Sequence, residues 1–181
     1  MIRRVLPLLA AALACAGAHA SESMPDAAGP VVGHLACGGA NLTATTVFRE
    51  VADQDRQILS QTITIAPAGK SASATLKLEA RRLRQPFLRD TLVLDASATG
   101  WACVKATDGK PYVYVMMTCT ESPLRPACEG ATREWMALYD LSGRELNAGL
   151  PHDGRQEAAL IKRLKLEHLD DGSVTLSSPG E

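Results

Sequence analysis

Cys119 and Cys128 stand nine positions apart on either side of Pro123 and Pro126, and three further cysteines occupy positions 15, 37 and 103. Such residues can exchange disulfides, hold a metal or staple the chain. Redox dithiols use Cys-x-x-Cys at a helix start, and zinc sites join close cysteines to further Cys or His ligands. Neither spacing occurs here. A structural bridge remains, and closing so short a loop contributes roughly 2.5 to 3 kcal/mol by chain entropy. With Cys15 removed in a leader, the other four form an even set. Local pairing of Cys119 with Cys128 then leaves Cys37 for Cys103.

The histidines add no metal or acid–base pattern. His34, His152 and His168 form no His-x-His and no His-Glu-x-x-His. The chain also lacks a Gly-x-Ser-x-Gly elbow and a phosphate-binding glycine loop. No catalytic, metal or cofactor-binding residue is therefore assigned, and no cofactor is expected. The enzymatic alternative is an envelope hydrolase whose Ser, His and Asp meet only in space.

Two segments are candidates for recognition. Arg81, Arg82, Arg84 and Arg89 fall within nine residues that contain no acid. They suit an acidic partner, a phosphate-rich head group or an anionic glycan; the plainer reading is a solvated face that protects an edge strand. The second segment, Tyr112 to Thr120, reads YVYVMMTCT. In extended chain, Tyr112, Tyr114, Met116 and Thr118 share one face, and Val113, Val115, Met117 and Cys119 share the other. A strand apolar on both faces is a central one, covered by a second sheet, by a helix, or by the interior of a barrel. The Tyr112, Tyr114 and Met116 face is also where a ligand pocket or partner surface would lie.

The elements that would position these residues are short, alternating runs rich in Val, Ile, Thr and Leu: 41–50, 58–66, 74–83, 91–95, 101–107, 112–120 and 132–140. Turn chemistry separates them at 66–69, 98–100, 108–111 and 142–143, with Asp108-Gly109 the strongest hairpin signal. One helix is expected after Asp153, which can act as its cap with Gln156 reaching back. Leu160, Ile161 and Leu164 then share a face, and Lys162, Arg163 and Lys165 lie near the C-terminal end. Ser173 to Leu176, after Asp171-Gly172, reads as a closing strand. Trp101 and Cys103, two apart on one strand, should pack the indole beside the Cys37 bridge. The fold class is mainly β: an antiparallel sandwich or partly closed barrel, disulfide-bonded, with one short C-terminal helix.

Residues 1–20 have the form of an export signal: Arg3 and Arg4, an apolar run from Val5 to Gly17, then Ala18-His19-Ala20. Cleavage near Ala20 would deliver the chain to the bacterial periplasm or beyond. A lipid anchor on Cys15 is the less favoured alternative, because a lipobox usually has Leu where Ala12 stands. No apolar run reaches the ~18 residues of a transmembrane helix. Residues 21–33 read as a flexible segment and 34–178 as one β-rich domain. The whole chain carries 19 Lys and Arg against 20 Asp and Glu, and loss of Arg3 and Arg4 lowers the net charge from −1 to −3. That balance excludes a general nucleic-acid binder. The expected function is a non-enzymatic binding or protein-interaction module whose partner is an envelope protein or a small ligand. A barrel holding a small apolar ligand is the alternative within binding.

Overall fold

The structure, a computed structural model, describes residues 29–50, 56–69, 73–85, 91–119, 133–149, 154–166, 169 and 177–179. Nine strands and one helix occur among them. A four-stranded antiparallel sheet has the order β1 (Val31–Cys37), β2 (Ala40–Glu50), β3 (Arg56–Pro67) and β4 (Ala74–Thr75). β5 (Arg82–Gln85) and β6 (Thr91–Leu94) form a two-stranded hairpin. A three-stranded antiparallel sheet has the order β7 (Ala96–Lys105), β8 (Pro111–Cys119) and β9 (Glu134–Tyr139). The helix α1 spans Arg155–Arg163.

Two-residue alternation builds the layers. In β8, Val113, Val115 and Met117 are fully buried and pack with Leu42, Ile63 and Ile65 of the four-stranded sheet. The alternate face carries Tyr112, which is buried with Leu138 of β9 and with Leu160, Ile161 and Leu166 from α1 and its end. β8 is therefore central in its sheet and covered on both sides, by a second sheet on one and a helix on the other. Each fully buried aliphatic side chain contributes about 1.5 to 3 kcal/mol, so these two layers dominate the stability of the fold. The sheets face each other like a sandwich and are not closed into a barrel, so the barrel half of the expectation does not hold.

The Cys37–Cys103 disulfide is formed, with Cα atoms 5.1 Å apart, and it staples the end of β1 to β7. Trp101 is 1% exposed in the core cluster that contains Cys37 and against which Cys103 packs, as its position two residues before Cys103 implied. Cys119 is also disulfide-bonded. Its expected partner, Cys128, lies outside the described residues.

Several boundaries differ from the sequence pattern for identifiable reasons. Pairing begins at Val31 rather than His34, because Gly38 and Gly39, at φ of 54° and 81°, turn the chain into a tight β1–β2 hairpin that carries the register back to Val31↔Thr46. Ala98-Thr99-Gly100 is not a turn but an irregularity within β7, where the pairing to β8 shifts register. The expected strand 74–83 divides into β4 and β5, with alternating chain outside either strand between them. At α1 the cap is Gly154, in a left-handed conformation with no side-chain bond; Asp153 lies outside the described residues. Leu160 and Ile161 are buried, and Lys162 and Arg163 occupy the last turn, as expected.

Side chains and short segments complete the free edges of the three-stranded sheet. Asn147, 3% exposed, accepts from Leu138 N–H at 2.9 Å and donates to the Met136 carbonyl at 2.7 Å, in the manner of an added strand beside β9. On the opposite edge, Ser177 pairs with Trp101 through bonds of 2.9 and 3.0 Å. Two residues on, the Pro179 backbone packs onto Gly33, where a Cβ would stand 2.7 Å from its carbonyl oxygen. The closing strand expected over 173–176 lies outside the described residues; Ser177, just beyond it, is described.

Candidate binding groove

β3 is twelve residues long, but β4 pairs with only Thr64 and Ile65 of it. One further bond follows, from Leu76 N–H to the Ile63 carbonyl at 2.8 Å, before the chain leaves the strand. It is gathered in again at Arg81, whose N–H donates to Asp95 Oδ1 at 2.7 Å and whose carbonyl accepts from Asp95 N–H at 3.0 Å. These two bonds extend the β5–β6 ladder. A half-open groove of about 230 Å3 occupies the gap. Ser60, Gln61 and Thr62 of β3 form one wall, and Thr75, Leu76, Leu78 and Ala80 of the departing chain form another. Arg82 and Leu94, cross-strand partners in the hairpin, close it.

The groove's polar wall is held firmly. Gln61 Nε2 donates to the Ala98 carbonyl at 3.0 Å and to Thr46 Oγ1 at 3.2 Å, while its Oε1 accepts from Ala98 N–H at 2.7 Å. The backbone of Gln61 has a different role. Because Ile63 turns its carbonyl towards Leu76, the two-residue period turns the N–H and carbonyl of Gln61 to the same edge. No strand among the described residues pairs with them there. The groove is thus lined by a short piece of open strand edge.

Three members of the arginine run, Arg81, Arg82 and Arg84, are among the described residues. Arg82 lines the groove, and Arg84, two residues on, is exposed on the same side of β5 with the 43%-exposed Leu92 as its cross-strand partner. Arg81 alternates to the other face and contributes its backbone to Asp95. Arg89 lies outside the described residues. Among the described residues no acidic side chain lines the groove.

Tyr112, Tyr114 and Met116 share one face of β8, on the side of the helix layer. Tyr112 is 4% exposed beneath α1, with Lys110 Nζ 5.3 Å from its ring centre, whereas Tyr114 and Met116 are half-buried on the same sheet face. Burial, with Glu157 and Glu134 nearby, holds the Tyr114 phenol above its ordinary pKa, so it is a neutral hydrogen-bonding group at physiological pH. His34 lies on the exposed outer face, its Nδ1 3.4 Å from Thr43 Oγ1. His152 and His168 lie outside the described residues. Among the described residues no three His, Cys, Asp or Glu side chains are grouped to hold a metal, and no helix is long and apolar enough to cross a membrane.

Of the groove residues, the sequence pointed only to Arg82. The polar wall reads as ordinary strand chemistry, and the departure of the chain at Leu76 has no local signal because Leu76, Leu78 and Ala80 continue the alternation. Comparison of the chain with family models, with curated proteins and with solved structures finds no match.

Proposed function

We propose that the protein is a non-enzymatic binding or protein-interaction module, exported to the bacterial periplasm by the leader in residues 1–20, and that it binds through the groove beside Arg82. The observation that carries this reading is the groove itself: an open strand edge, an apolar wall and the Arg82 cation, with no acid among the described lining residues, brought together on a two-layer scaffold. A paired Cys37–Cys103 is compatible with an oxidising compartment. The small-apolar-ligand alternative needs an enclosed cavity in a barrel or behind Tyr112. Tyr112 is instead packed against α1, and the groove is half open and largely polar.

Two measurements test the reading. Intact-mass analysis of the protein from an envelope fraction should place the N-terminus at Ser21; a diacylated Cys15 would make it a lipoprotein instead. Affinity capture from envelope extracts should retain a partner on wild type and lose it on Thr62→Arg, and the same dependence should reappear with that partner purified. A partner held equally by both proteins would overturn the groove as the binding site.

A further inference from the structure

We propose that the groove takes an acidic side chain carried on a short extended segment of a partner protein, docked along the open edge at Gln61 with its carboxylate on Arg82. The proposal rests on the reading of the groove as the binding site and names the occupant. Three observations select it. First, the volume of about 230 Å3 is below the ~300 to 1,000 Å3 of pockets that enclose whole small molecules, so the groove accepts part of a larger partner. Second, the edge it exposes is the backbone N–H and carbonyl of Gln61, next to the point where Leu76 leaves the ladder. Extended chain satisfies both groups in the way a neighbouring strand would. Third, the only charged side chain among the described lining residues is Arg82, with Arg84 behind it on the same face. A planar guanidinium holds a carboxylate through two parallel bonds, and Leu76, Leu78 and Ala80 provide apolar surface for the methylenes that carry it. The mature chain's net negative charge gives no general attraction for anions, so selectivity for an acidic residue is local to this face.

The probe is a capped, fluorescently labelled eight-residue peptide alternating valine with glutamate, followed by anisotropy at low and moderate salt. Wild type should bind it, affinity should fall with salt, and Arg82→Gln should weaken it about tenfold while leaving thermal unfolding unchanged, since Arg82 is exposed. The same peptide with lysine for glutamate should not bind, and methylation of alternate backbone nitrogens should abolish binding. Hydrogen exchange at the Gln61 amide should slow on binding. Equal affinity for the glutamate and lysine peptides, or for wild type and Arg82→Gln, would overturn the proposal. Competition by free acetate at equal concentration would reduce the site to a simple anion pocket and overturn the extended-segment occupant. Dimerisation of the protein that Thr62→Arg abolishes would show a second copy on the edge, with the same consequence. Should envelope capture depend on Thr62 while the peptide fails to bind, the groove stands and the acidic occupant falls.

Discussion

The side-chain amide of Gln61 in β3 pairs with both backbone groups of Ala98 in β7, accepting from its N–H at 2.7 Å and donating to its carbonyl at 3.0 Å. Ala98 sits where β7 shifts register, so these groups face outward at the sheet edge, and one glutamine does what a neighbouring strand would do. The same side chain donates to Thr46, which is fully buried. Gln61 thereby joins the two sheets and holds the polar wall of the groove.

Replacing Gln61 with Leu keeps the volume and removes every bond. Leaving buried Ala98 N–H unsatisfied should cost about 1 to 3 kcal/mol, read as a lower midpoint in urea unfolding with an unchanged slope. Gln61→Glu retains the acceptor and loses the donor, and should fall between the two.

The Cys37–Cys103 bridge closes the chain over a sequence separation of 66, and the entropy model assigns such a loop about 4 kcal/mol. Cys37→Ala with Cys103→Ala should therefore lower stability by an amount approaching that figure, measured against the oxidised wild type. Non-reducing peptide mapping of the native protein should recover the 37–103 link and, from the sequence, a second link joining Cys119 to Cys128.

Both covers of β8 can be tested separately. Val115, fully buried against the four-stranded sheet, should cost about 1 to 3 kcal/mol on truncation to Ala. Tyr112, packed beneath α1, should cost about 3 to 5 kcal/mol, and the half-buried Tyr114 less than Tyr112. If Tyr112→Ala unfolds no more easily than Tyr114→Ala, the helix layer does not cover that face.

A pH effect is expected at the β9 turn. Partial burial of Asp140 disfavours its charged form, but bonds from the Ser142 side chain, from the backbone of Ser142 and Arg144, and the Arg144 charge outweigh it and hold the carboxyl below its ordinary value. A depressed folded-state pKa gives stability that is present above the unfolded value, about 4, and is lost as pH falls through the folded one. Wild type should lose its advantage over Asp140→Asn as pH is lowered from neutral into that range, a comparison made by thermal unfolding at matched salt.

Where alternation met burial, the sequence was sufficient. The YVYVMMTCT run could only be satisfied by two apolar layers, and Asp108-Gly109 makes the turn it signals, with Gly109 at φ 84°. Start of the domain was less legible, since Gly33, Ala36 and the small residues around them carry little strand propensity. The Gly38-Gly39 pair was nevertheless a hairpin signal that would have placed β1. Gly100 resembled a turn residue because a glycine marking an irregular strand position and one marking a turn are alike in sequence. The groove was beyond local reading altogether. It exists because Leu76 leaves β3 while Arg81 is drawn to Asp95, and both events are set by partners distant in sequence.

Site-specific photo-crosslinking in intact cells shows whether a partner occupies the groove. A photoreactive residue placed at Thr62, in the groove wall, should give a discrete adduct with an envelope protein, and one placed at the exposed Lys162 of α1 should not. An adduct from Lys162 with none from Thr62 would contradict the groove as the binding site.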